Sequence, residues 1–179
     1  MKNLISPASD EYAEFYAGYI QRAIARGDVL AALPNQIEEI KTALGKLSDK
    51  QALFRDAPQD WSIKEVVGHL NDVERVFSYR LLRISRTDAT PLPGFEQNDY
   101  VREAGYDDCS LEDLIQEFEF LRRANILAIG NIKEEALLYL GTASGYPVSA
   151  RALVYMLVGH VDHHMASLRE KYLPIAVTL

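Results

Sequence analysis

The sequence predicts an all-α fold, a four-helix bundle with one long crossover connection. Three observations support this. Apolar residues recur at steps of three and four along four long stretches, no stretch shows the two-residue alternation of a half-buried strand, and a segment rich in Pro, Gly, Asp and Asn (86–109) parts the second long stretch from the third.

The elements follow in chain order. An N-terminal arm, SDEYAEFYAGYIQRAI, is expected to be helical. It has Ser9 as a candidate cap, Tyr12, Phe15, Tyr16, Tyr19 and Ile20 at helical spacing, and Gly27 at its end. Asp28 then caps a stripe of Val29, Leu30, Leu33, Ile37, Ile40, Leu44 and Leu47, with Pro34 predicting a kink or a late start. The next helix opens on a capping box, Ser62 with Glu65, and continues through Val66, Val67, Leu70, Val73, Phe77, Leu81 and Ile84. After the irregular segment, Ser110 and Asp113 open a third bundle helix with Leu111, Leu114, Ile115, Phe118, Leu121 and Ile126 facing inward. Ser149 caps the last helix, ARALVYMLVGHVDHHMASLREKY, expected to stop before Pro174. No repeat, linker or low-complexity tract divides the chain, so residues 1–179 read as one domain.

Composition narrows the function classes. The 179 residues include 48% apolar and 25% charged residues, ordinary for a globular protein. A net charge of −7, without a basic patch, gives no electrostatic case for nucleic acid or an anionic membrane. No apolar run reaches membrane-spanning length, and the first residues lack the apolar core of a secretion signal. Cys109 stands alone, so neither an internal disulfide nor a thiolate metal cluster is available. The expectation is a cytoplasmic protein acting on a small molecule.

The four histidines are unevenly placed. Three fall in GHVDHHMASL, as His160, His163 and His164, and the fourth is His69 in VVGHLNDVER. Residues four apart share a helix face, so His160 and His164 point the same way, together with Leu153, Leu157 and Leu168 on the core side. His69 lies between Val66 and Val73 on the apolar side of its own helix. Two helices can therefore gather three imidazoles inside the bundle and hold a divalent metal there. His163, rotated about 60° from His160, is placed to flank such a site. The competing reading is a set of hydrogen-bonded core histidines with no ion. Val161 stands where the H-E-x-x-H proteases need their glutamate, which argues against that chemistry. Asp162 points away from the cluster and reads as a solvated surface charge.

Around the site, Asp72 and Arg80 are the candidate catalytic groups. Asp72, three residues after His69, is placed to orient an imidazole or a water. Arg80, eleven residues on and near three full turns, is placed on the same side to meet an anionic group; the bland alternatives are a surface carboxylate and a surface ion pair. Trp61 reads as an anchor for the helix start, Glu65 as part of the capping box, and Cys109 as a small spacer rather than a nucleophile. Asn98 and Tyr100 are candidates to overhang the opening.

The blocks WSIKEVVGHLNDVERVFSYR, PLPGFEQNDYV and GHVDHHMASLREKYL, taken in order, resemble the DinB-like (DinB/YfiT-like) metalloenzymes over about residues 10–173. The H-x3-H motif alone is weakly specific; the ordered blocks are much more so. The resemblance implies an up-down-down-up bundle, a homodimer and one divalent metal on His69, His160 and His164. It also implies thiol-dependent transferases and an isomerase among the characterised relatives, and no DNA repair. Three neutral imidazoles leave a coordination position open, the arrangement of a catalytic site. An ion there lowers the pKa of a bound water, which gives hydrolysis, or of a low-molecular-weight thiol cofactor, which gives S-transferase-like chemistry. Imidazole ligands do not choose among zinc, nickel, iron or manganese. The alternative from another class is a non-catalytic metal-binding or stress-related bundle.

Overall fold

A computed structural model describes residues 4–179; residues 1–3 of the expected domain lie outside the described residues. The chain runs through α1 (Ala17–Ala25), α2 (Val29–Leu44), α3 (Ile63–Ser85), α4 (Gln97–Ala104), α5 (Leu111–Gly130), β1 (Leu140–Ala143), β2 (Tyr146–Ser149), α6 (Ala150–Ser167) and α7 (Leu173–Ala176). The four long helices α2, α3, α5 and α6 form the bundle, and α1 lies along α6.

Side-chain oxygens fix where each bundle helix begins. Asp28 accepts from the amides of Leu30 and Ala31, Ser110 from Asp113 and Ser149 from Ala152. Ser62 accepts from Glu65 N at 3.0 Å while the Glu65 carboxylate takes Ser62 N at 2.8 Å, which satisfies two otherwise orphaned donors. Pro34 lies inside α2 without interrupting it.

The core has two apolar halves, and their membership gives the topology. One half joins the start of α2 (Val29, Leu33), the end of α3 (Phe77, Leu81, Ile84) and the start of α6 (Leu153, Met156). The other joins the end of α2 (Ile40, Leu44), the starts of α3 (Ile63, Val67) and α5 (Leu111, Phe118) and the end of α6 (Met165). Hence α2 and α6 run one way and α3 and α5 the other, an up-down-down-up bundle. A parallel α3–α5 pair requires the chain to travel back the length of the bundle, which is the work of segment 86–110.

Between the halves lies a polar layer that ties all four helices together. Buried Arg122 of α5 grips Glu74 of α3 through two 2.8 Å bonds and donates to Gln36 Oε1 of α2 and to the Leu157 carbonyl of α6. Gln36 donates to the Val158 carbonyl and to Asp162, and Asn125 donates to Glu74. A bidentate guanidinium–carboxylate pair with two further hydrogen bonds fixes register, because a helix slipped by one turn leaves a buried charge unpaired.

Several local expectations are corrected. The arm begins as two 3₁₀ turns, Ser9–Glu11 and Glu14–Tyr16, and is α-helical only from Ala17. The crossover holds the eight-residue helix α4, capped by Glu96 and ended by Gly105 at φ +66°. A small hairpin pairs β1 with β2. Its two-residue turn, Ser144–Gly145, has positive φ at both positions, the backbone twist that tight hairpins favour. The last helix does not end before Pro174. It widens into a π turn over Leu168–Tyr172 and resumes as α7 with Pro174 in its first turn, where a missing amide costs nothing. Asp162 is no solvated charge: it bonds both Arg26 and Gln36.

Candidate metal centre

His69 of α3 meets His160 and His164 of α6 in the bundle interior. His69 Nε2 lies 3.0 Å from His160 Nε2, and one ring nitrogen from each of the three falls within 4.8 Å of the others. Their ring centroids form a near-equilateral triangle with sides of 4.6–4.9 Å. His69 and His160 are buried and His164 is partly so. Burial holds His69 at about 4, against an ordinary 6.5, and pushes His160 and His164 well below theirs, with mutual repulsion adding to the effect. All three are therefore neutral at pH 7, the state in which a ring nitrogen offers a lone pair.

Two neutral imidazoles facing each other at 3.0 Å can share only one proton, and four ring nitrogens of the pair compete for few protein partners; the far nitrogen of His69, Nδ1, is buried with none. A tetrahedral zinc with bonds of about 2.0–2.1 Å sets its nitrogen ligands about 3.3 Å apart. The His69–His160 spacing is close to that value and a His164 nitrogen lies within 4.8 Å of both, so three neutral donors gather at one point, a set suited to a single divalent ion.

Each ligand-bearing helix carries a glycine just before its histidine, and both glycines are close-packed. A Cβ on Gly159 would lie 1.8 Å from the Tyr19 carbonyl oxygen of α1. A Cβ on Gly68 would lie 2.3 Å from the Tyr106 ring. These contacts press α1 and the crossover against α6 and α3 beside the site. Tyr19 then covers His160 and His163, with ring centroids 5.4 Å from each. Trp61, just before the Ser62 cap, packs 4.7 Å from His69 and stacks over His164 at 6.4 Å. Trp61 is thus a wall of the site as well as part of the helix start.

Two cavities open onto the cluster. One, about 330 Å³, has His160 in a wall of Phe15, Tyr16, Tyr19, Phe77 and Phe95. The other, about 320 Å³, presents His164 and His163 with Gln59, Asp60, Trp61 and Tyr172. Gln97, the first residue of α4, lines both, and Asn98 lines the second; neither cavity is lined by Tyr100, which packs on Phe95. His163 is exposed on the cavity wall and stands outside the three-histidine group.

The other expected site residues are held elsewhere. Asp72 accepts a hydrogen bond from the Tyr106 hydroxyl, and burial raises its pKa. Its neighbours are Arg75 and Glu117. Arg80 is buried and donates to the Pro93 carbonyl and the Ser144 hydroxyl, so it pins the crossover to the hairpin. At 1.5 Å per residue it sits about 16 Å along α3 from His69; sharing a face did not place it at the site. Cys109 is half-buried near the Gly105 carbonyl, and Glu65 completes its capping box while pairing with Arg55. Tyr19, Phe77, Gln97 and the wall role of Trp61 were not identified from sequence. The Gly-His pairs at 68–69 and 159–160 were the available signal, since glycine inside a helix calls for a packing reason.

Comparison with known proteins agrees with this architecture. No curated protein matches the chain. Among solved structures, YfiT from Bacillus subtilis superposes with a TM-score of 0.70 at 16% identity, over 93% of this chain and 90% of that one. It is described as a probable metal-dependent hydrolase with an unusual four-helix bundle topology. A family model matches residues 32–168, a span that takes in all three clustered histidines, the whole of α3, α5 and α6 and α2 from Ala32 onward, and by it this chain belongs to the DinB superfamily.

Proposed function

We propose that the chain is a metal-dependent hydrolase of small molecules, with His69, His160 and His164 as the ligands of one divalent ion. The observation that carries this reading is the 3.0 Å approach of two neutral imidazole nitrogens, with a third alongside, at the floor of two cavities. When bound, the ion supplies Lewis acidity, which brings a water towards ionisation near neutral pH and stabilises developing negative charge.

The chain's own groups do the rest. Three neutral ligands leave the ion's positive charge undiminished. The Tyr19 phenol, whose pKa is raised by burial, remains protonated and is placed to donate a hydrogen bond beside His160. Gln97 reaches both cavities and is placed to orient a substrate that spans them. Trp61 and Phe77 flank the imidazoles with apolar surface and limit access of bulk water. The polar layer behind α6 fixes Leu157 and Val158, one turn before His160, and so fixes the ligand pair in register.

A thiol cofactor remains the second reading, because the same open position accepts a thiolate. Among the described residues, no lysine or arginine lines either cavity to hold the carboxylates that many such thiols bear. The expected homodimer is part of this reading and is tested by sedimentation. Elemental analysis of untagged protein beside His160→Ala tests the metal. Ester and amide hydrolysis, assayed with and without chelator and with and without added thiols, tests the chemistry. Wild-type protein without bound metal, or turnover that survives complete metal removal, refutes the reading.

A further inference from the structure

The two cavities differ in chemistry, and together they describe a substrate. The first is an aromatic wall. Phe15 and Tyr16 rings lie 4.3 Å apart, Tyr16 meets Phe77 edge-on at 6.0 Å, and Phe77 in turn packs 6.1 Å from His160. Phe15 is 59% exposed, a large apolar surface left open to water at the cavity mouth. An apolar pocket wall at an open coordination position is suited to the ring or hydrocarbon part of a ligand.

The second cavity joins the rings of Trp61 and Tyr172 to the carboxylate of Asp60. Asp60 bonds Arg55 through its main-chain carbonyl, so its carboxylate is not drawn into that pair, and it is near enough to raise the pKa of Tyr172. Aromatic faces next to a carboxylate attract a cation. Glu96 adds a second carboxylate at the mouth of the first cavity. Arg55 stands next to this subsite, donating to the Asp60 carbonyl, but its charge is met by two other carboxylates, Glu65 and Asp107. Arg22 acts on His163 without lining either cavity.

We propose that the site takes a small aryl-alkyl amine or a compound bearing that motif. Its ring lies against Phe15, Tyr16 and Phe77, and its ammonium lies at Asp60 between Trp61 and Tyr172. This rests on the hydrolase reading only for what happens next, since the selectivity resides in side chains and not in the ion. In the metal-free protein, phosphorylated and polycarboxylate compounds are disfavoured by the same walls.

Trp61 is the only tryptophan in the chain, so its fluorescence reports this cavity without a label. The test titrates 2-phenylethylamine, 2-phenylethanol and phenyl phosphate into wild type, Asp60→Asn and Phe15→Ala, after chelation, with circular dichroism confirming that each variant is folded. The expected result is saturable quenching by the amine and at least tenfold weaker binding of phenyl phosphate. Asp60→Asn is expected to weaken the amine about tenfold and leave the alcohol unchanged, while Phe15→Ala weakens both. Phenyl phosphate binding as tightly as the amine, or an Asp60→Asn variant that binds the amine normally, overturns the proposal. Metal stoichiometry, measured separately on unchelated protein, judges the hydrolase reading alone, so failure of one is distinguishable from failure of the other.

Discussion

Replacing Gly159 with alanine sets two effects of opposite sign against each other. In a helix interior, alanine is favoured over glycine by about 1 kcal/mol. In a chain of this size about 2–4 °C in Tm accompanies each kcal/mol, so propensity alone predicts a more stable protein. The packing predicts the reverse. The new methyl would stand 1.8 Å from the Tyr19 oxygen, 2.4 Å from its carbonyl carbon and 2.8 Å from its Cα. Carbon–oxygen contacts settle near about 3.3 Å, so α1 must retreat by about 1.5 Å. Nothing can rotate aside, because all three obstructing atoms are backbone. Overpacking of this kind costs about 1–3 kcal/mol, and here at the upper end or beyond. The net expectation is a loss of about 2 kcal/mol and a Tm lower by about 4–8 °C. Bound metal should fall too, since His160 is the next residue. The assay is thermal unfolding by circular dichroism with metal stoichiometry on the same sample. Gly68→Ala is the internal control: its obstacle is the Tyr106 side chain, so Tyr106→Ala should relieve it, whereas Tyr19→Ala should not relieve Gly159→Ala. A Gly159→Ala protein with a Tm at or above wild type refutes the close-packing argument.

Other expectations follow from the same geometry. His160→Ala should lose at least nine-tenths of bound metal and stay folded, read by elemental analysis and circular dichroism; retention of metal would remove His160 from the ligand set. Because burial holds His69 near 4 while an unfolded chain binds its proton near 6.5, the unfolded state takes up more protons between these values. The stability of chelated protein should therefore be complete above pH 6.5 and fall as pH drops towards 4, by about 3 kcal/mol for this residue. Urea midpoints at pH 7.5 and 5.5, where carboxylates remain ionised, check this, and equal midpoints would contradict it. Arg122→Met should cost about 3–5 kcal/mol by leaving Glu74 charged and buried, and Arg122→Met with Glu74→Leu should recover much of that loss. Denaturant melts of the single and double variants decide it; a single variant as stable as wild type would show that the layer contributes no register.

Much of the architecture was legible from one-dimensional pattern. Helix starts were readable because Asp28, Ser62, Ser110 and Ser149 act on amides only two or three residues away. The gathering of His69, His160 and His164 followed from periodicity, since each falls on an apolar stripe that must meet the core. What the pattern did not disclose depends on contacts distant in sequence. Arg80 has the right angular position and the wrong height, because a helix repeats its face every turn but a site occupies only one level. Asp162 looked solvated until Arg26 and Gln36, more than a hundred residues earlier, arrived beside it. The hairpin leaves little trace in the pattern because four-residue strands are too short to display alternation, and its Ser-Gly turn is the one local signal. The aromatic wall draws on an arm, two bundle helices and the crossover, and no single segment reveals it.

The Arg122 layer has a further consequence for how such a sequence can change over time. It works as a girdle at mid-height, separating the oily interior into an upper and a lower compartment. A swap of side chains in one compartment can be answered locally, by residues on the same side of the girdle, while the relative heights of the helices stay clamped. A chain built this way can exchange most of its interior piecemeal and still deliver its imidazoles to one point.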